Sequence, residues 1–168
     1  DHALHNIDGS RVRKSVRGIL AQQHAMSPAK LAELAGSYEP LSTYCSQLST
    51  RHGGVPPRDL QQARLLEIST FDAGPGFAES FRKRSRALMT MDEELSAVQE
   101  CFLKNATSKG RPGFGQGLSR VLQLLRKKRG FLRLRTGRLS LFIDLNDSEW
   151  DGQPESSPPL SMWRPQTG

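Results

Sequence analysis

Residues 63–76 read Ala63-Arg-Leu-Leu-Glu-Ile-Ser-Thr-Phe71-Asp72-Ala-Gly-Pro-Gly76. The first nine are mostly apolar and partly β-branched, which predicts a buried strand, and the last five are rich in the residues that make a sharp loop. A strand that ends on a carboxylate and two closely spaced glycines fixes the centre of the chain, and the other elements are placed around it. Downstream, Thr90-x-x-Glu93 is a capping-box pattern with Asp92, Glu93 and Glu94 at the positive end of a helix dipole. Leu95, Val98, Cys101 and Phe102 give that helix its apolar stripe, and it should run to about Asn105. A second glycine cluster follows in Thr107-Ser-Lys-Gly-Arg-Pro-Gly113-Phe-Gly115-Gln-Gly117. It leads into a helix with Leu118, Val121, Leu122 and Leu125 on one face and Gly130 as its stop. Residues 131–135 and 138–145 alternate around Thr136-Gly137, the pattern of a β-hairpin.

Upstream, residues 12–21 read as a half-exposed strand. Ser27-Pro28 opens a short helix that Gly36 ends, and Leu41, Tyr44, Cys45 and Leu48 mark another before a turn-rich loop at 51–59. Strands and helices mix without regular βαβ alternation, which predicts an α+β chain. The expected organisation is one domain over residues 1–145 and a disordered tail over 146–168. That tail holds four of the ten prolines and no hydrophobic period.

The chain has 168 residues and a formal charge of +7, which favours acidic partners such as nucleotides, nucleic acid or anionic lipid. No run approaches the roughly 20 apolar residues of a membrane span, and the first residues do not resemble a secretory signal. Cys45 and Cys101 lack metal-ligand spacing, and the four histidines form no zinc motif. A reducing cytoplasm is the expected compartment, with no structural metal site. No nucleophile elbow accompanies the serines and histidines.

Each glycine box alone is also what an ordinary turn requires. The second is not a Walker A loop, since no Lys-Ser/Thr follows its last glycine, and not a dinucleotide fingerprint, since no strand precedes it. In order, however, the chain reads strand, Asp72-x-Gly74-Pro-Gly76, helix, Gly113-x-Gly115-x-Gly117-Leu118 at a helix start, then hairpin. This resembles the histidine-kinase-like (GHKL, Bergerat-fold) ATPases over about residues 64–145. The resemblance implies a two-layer α/β sandwich, with a mixed sheet carrying helices on one face. It also implies an ATP site. Asp72 would read the adenine amine, Gly74 and Gly76 would let the backbone lie against base and sugar, and the N–H groups of Gly113, Gly115, Gly117 and Leu118 would seat the phosphates. Lys109, beside Arg111, falls in the segment that forms a mobile lid in that family, and Ser140 falls where the family often has a Thr near the adenine.

The family's helix with a catalytic Glu and a magnesium-binding Asn is not found in this chain. The resemblance places it just upstream of residue 1, with Asp1-His2-Ala3 as its ending, so the Mg2+ ligand is expected there and no catalytic residue is assigned. Hydrolysis by this chain is not expected on that count. No histidine stands in a phosphoacceptor pattern. Beyond ATP, the resemblance allows a protein partner or self-association.

The rival reading is a basic interaction module for nucleic acid or protein, built on residues 82–86, 126–129, Arg133, Arg135 and Arg138. Cations in a helix's last turn complement its dipole, and stacking aromatics are few, so a solvated surface is favoured over nucleic-acid binding.

Overall fold

The computed structural model describes residues 16–48, 62–106, 116–146, 148–153, 155–156 and 158–162. These form a mixed α+β structure that divides into two compact units, Ser15–Ala73 and one that is chiefly Gly74–Gly168. All described strand pairs are antiparallel, and they fall into a two-stranded and a three-stranded sheet. The expected single mixed sheet is therefore not what the described strands form. Each described strand pairs with strands of its own unit.

In the first unit, β1 (Arg17–Met26) pairs with β2 (Ala63–Asp72) along ten positions, from Arg17 opposite Asp72 to Met26 opposite Ala63. The strand expected over residues 12–21 is thus placed later in the chain, and its positions before 16 lie outside the described residues. The ring of Phe71 lies over Gly18, where a Cβ would stand 2.3 Å from the ring edge. Between the strands come α1 (Pro28–Leu34) and α2 (Glu39–Ser46), which pack on each other. Ser27 caps α1 by accepting from the Lys30 N–H, with Pro28 in the first turn, and Gly36 follows at φ 60°. Leu31, Tyr44 and Cys45 are buried, while Leu34 is exposed.

The expectation that residues 63–71 form a buried strand is corrected. Leu66 is 65% exposed and Ile68 63%, beside Ile19 at 77%. The strand carries apolar residues on both faces, a pattern suited to cover on two sides. In a ribbon of two strands only the face bearing His24, Leu65 and Ser69 is half-buried.

The second unit holds α3 (Phe77–Arg82), a 3-10 turn (Arg86–Leu88), α4 (Met91–Cys101), α5 (Gly117–Lys127), β3 (Phe131–Thr136), β4 (Leu139–Asp144) and β5 (Ser161–Met162). Thr90 and Glu93 make the full capping box at the start of α4: the Glu93 N–H donates to Thr90 Oγ1 at 3.2 Å and the Thr90 N–H to Glu93 Oε2 at 2.7 Å. The helix ends at Cys101, with turns to Asn105. Period-two burial puts Leu139, Leu141 and Ile143 on the inner face of β4, against Ala78 of α3, Ala97 and Val98 of α4, and Leu122 of α5. Full burial of side chains such as Leu122 and Leu141 stabilises by roughly 1.5–3 kcal/mol each. On α5 the buried positions are Ser119 and Leu122; Val121, expected inside, is exposed.

The segment 146–168, expected to be disordered, contributes to this core where it is described. Trp150, Pro158 and Leu160 are buried, and β5 pairs with β4 at Leu141–Met162 and Phe142–Ser161. The Trp150 indole N–H donates to Ser156 Oγ at 2.7 Å, and that hydroxyl donates to Asp151 at 2.8 Å. Three apolar side chains at the right places suffice to anchor a segment whose average composition reads as loop. No helix among the described residues is long and apolar enough to cross a membrane.

Candidate functional site

Asp72 is the last residue of β2, and the Ala73 N–H still donates to Val16 O at 3.0 Å. A bend at Gly74-Pro75 follows, and Gly76 starts α3 with φ 92° and ψ 172°, a backbone conformation that only glycine adopts readily. The Ser80 N–H closes the first helical turn onto Gly76 O at 3.2 Å. The strand and box read from the sequence are present at residues 63–76, and a six-residue helix that was not expected, α3, follows before the expected α4.

Gly76 has a second reason to lack a side chain. A Cβ there would stand 2.9 Å from Thr136 Oγ1 and 3.2 Å from the backbone nitrogen of Gly137. Thr136 Oγ1 accepts the Phe77 N–H at 2.9 Å, so the turn between β3 and β4 holds the exit of the box. That turn is itself held. Gly137 sits at φ 58°, where a Cβ would fall 2.0 Å from Glu94 Oε1. Glu94, 1% exposed, accepts the Arg138 N–H at 3.0 Å and its Nε–H at 2.7 Å, while Arg138 Nη2 donates to Met89 O at 2.8 Å. Arg138 is exposed, as expected of a solvated cation, yet its guanidinium reaches inward to Glu94, which stands in the first turn of α4 as expected and also forms this half-buried ion pair.

On β4, Ser140 points away from the core-facing row, opposite Arg135. Its Oγ is buried and has no hydrogen-bond partner among the described residues. A buried hydroxyl without a partner is uncommon and calls for a reason.

At the second box, Gly117 begins α5, and a Cβ there would meet nothing within 4 Å. The N-cap, Gln116, makes no side-chain cap; its amide oxygen instead accepts from Arg120 at 2.8 Å. The Gln116 side chain thus leaves the first-turn N–H groups of α5 uncapped. The Leu118 side chain packs partly buried against the core, which leaves only its backbone for a ligand. Lys109, Gly113 and Gly115 lie outside the described residues, as do Arg111 and residues 1–3.

A surface cleft of about 480 Å3 lies elsewhere on this unit, lined by Arg82, Arg84, Met89, Asp92, Glu93 and Ser96. Its two arginines are paired: Arg82 with Glu100, and Arg84 with Glu93 at 3.7 Å. Among the described residues, none assigned to a nucleotide lines it. Much of the cationic surface is used in the same way, since Arg126 donates to Leu145 O at 3.0 Å and Arg138 is bound to Glu94. Burial, reinforced by the Glu100 charge, pushes the Cys101 thiol up to about 12, so it is no nucleophile at neutral pH. Among the described residues no group of three or more His, Cys, Asp or Glu side chains could hold a metal ion. Compared with known proteins, the chain matches no family model, no curated protein and no solved structure.

Proposed function

We propose that this chain is an ATP-binding domain of the histidine-kinase-like type. The observation that carries the reading is the build of the first box: a carboxylate at the end of β2, two glycines, and Gly76 at φ 92° opening a helix. A carboxylate in that place accepts a hydrogen bond from an exocyclic amine, which an adenine offers and the O6 position of a guanine does not. The partnerless Ser140 hydroxyl on β4 supports the same reading, because the resemblance puts the adenine beside that position. The phosphates are assigned to the N–H groups of Gly113, Gly115, Gly117 and Leu118, with Lys109 closing over them. Donors and helix dipole both favour anions there. The Mg2+ ion would accompany the phosphates, and none of its protein ligands is assigned within the described residues. Binding that closes the lid could drive association with a protein partner or a second copy by population shift.

The test is calorimetric titration of ATP and GTP into the chain and into Asp72→Ala. ATP binding is expected to weaken by about 10–100-fold in the variant, the worth of one hydrogen bond to a charged group, with the preference over GTP lost. Equal affinity of the two proteins for ATP would overturn the assignment of Asp72. Steep salt dependence with indifference to Asp72 would favour the basic-module reading instead.

A further inference from the structure

We propose that Thr136 is the positioning residue of the first glycine box, so that the hairpin turn and α4 regulate the base end of the nucleotide site; this inference rests on the ATP reading above. A helix of ordinary design is capped by the residue that precedes it, with a Ser, Thr, Asp or Asn side chain accepting from its first turn. Here that position is Gly76, which has no side chain to offer and makes no such bond. The missing acceptor comes from far along the chain: Thr136 Oγ1 receives the Phe77 N–H at 2.9 Å.

The hydroxyl is in place because its turn is clamped. Arg138 N–H and Nε–H both donate to Glu94 of α4, and Gly137 leaves no room for a side chain beside that carboxylate. The series thus runs from α4 through Glu94 to Arg138, along the turn to Thr136, and from its hydroxyl to the Phe77 N–H beside Gly76. Gly76 is confined by its φ and by Thr136 Oγ1, which a Cβ there would meet at 2.9 Å, so a shift of the turn moves Gly76 and the start of α3. The phosphate seat at the start of α5 is assigned to other residues and is not touched by this series.

The proposal predicts a separation between the two ends of the ligand. ATP, adenosine and tripolyphosphate are titrated separately into the wild-type chain, Thr136→Val and Thr136→Ser, with hydrogen exchange of the Phe77 amide followed in each. Thr136→Val is expected to weaken ATP and adenosine by the same factor, about five- to tenfold for one lost hydrogen bond, to speed Phe77 exchange, and to leave tripolyphosphate unchanged. Thr136→Ser, which keeps the hydroxyl, is expected to restore both nucleoside affinity and amide protection. Should Thr136→Val not fold, Arg138→Lys carries the same comparison, since it keeps the charge and loses the planar fork. Wild-type affinity in Thr136→Val, or a loss for ATP without one for adenosine, overturns the inference while leaving the ATP reading intact. Failure of the wild-type chain to bind both ATP and adenosine overturns that reading and the inference with it.

Discussion

Arg138 makes three hydrogen bonds to two partners from a two-residue turn: two to the Glu94 carboxylate and a third to Met89 O. Removing it leaves a carboxylate that is 1% exposed without its cation. Loss of one partner of a fully buried pair costs about 3–5 kcal/mol, and because the Arg138 side chain is itself partly exposed the expected loss for Arg138→Ala is roughly 2–3 kcal/mol. Urea unfolding measures it, and a change under about 0.5 kcal/mol would show that Glu94 finds water instead. None of this was legible from the sequence. Three consecutive acidic residues at a helix start are fully explained by the dipole and, for Glu93, by the capping box, so nothing in the local pattern calls for an ion pair at Glu94. Only the helical spacing with Ala97, Val98 and Phe102 puts Glu94 on the buried face, and an acid there is discounted when apolar stripes are sought.

At the scale of single elements the local signals were strong. The Thr90–Glu93 capping box, the Ser27 cap and the β3–β4 hairpin all stand where turn chemistry and periodicity put them. Thr90→Ala is expected to destabilise the chain by about 1 kcal/mol at pH 7. The same box sets a pH dependence. The Thr90 N–H bonded to Glu93 holds that carboxyl below its ordinary value of 4.5. A carboxyl depressed in the folded state stabilises it above the unfolded value and stops doing so as pH falls through the folded one. Stability should therefore decline on the acid side of about pH 4.5, and Glu93→Gln should flatten that limb of the urea-midpoint profile; an unchanged limb would assign the acid response to other carboxyls. What the element scale did not reveal is exposure. Leu66 and Ile68 announce a buried strand by composition, yet cover depends on what lies across the sheet, which composition does not encode.

Across the whole molecule, the segment after Asn146 shows the limit of compositional reading. Its prolines and serines suggest a tail, while Trp150 and Leu160 close the core of the second unit. Trp150→Ala is expected to cost about 3 kcal/mol, seen as a lowered urea midpoint, because a large buried aromatic leaves a cavity that the backbone cannot fill. A loss near zero would mean that residues 148–162 detach without consequence. The candidate site was legible to a similar degree. The strand end and the glycines at Asp72, Gly74 and Gly76 stand in the order read, but α3 was not foreseen, and the bond from the Phe77 N–H to Thr136 is invisible in one dimension because the two residues are brought together only by folding.

The two ladders also differ in how they can form. The β3–β4 ladder closes across Gly137-Arg138 alone, whereas β1 must find β2 across residues 27–62, which include two helices of their own. Loop-closure entropy grows with the logarithm of length, so the long ribbon meets a barrier higher by roughly 2 kcal/mol before its first rung is made. The unit containing the hairpin should accordingly acquire structure first and the ribbon later, a kinetic order opposite to the order of synthesis. Pulse-labelling exchange during refolding checks this: amides of residues 139–143 are expected to gain protection before those of residues 19–24, and simultaneous protection would mean that the ribbon is already paired in the early ensemble.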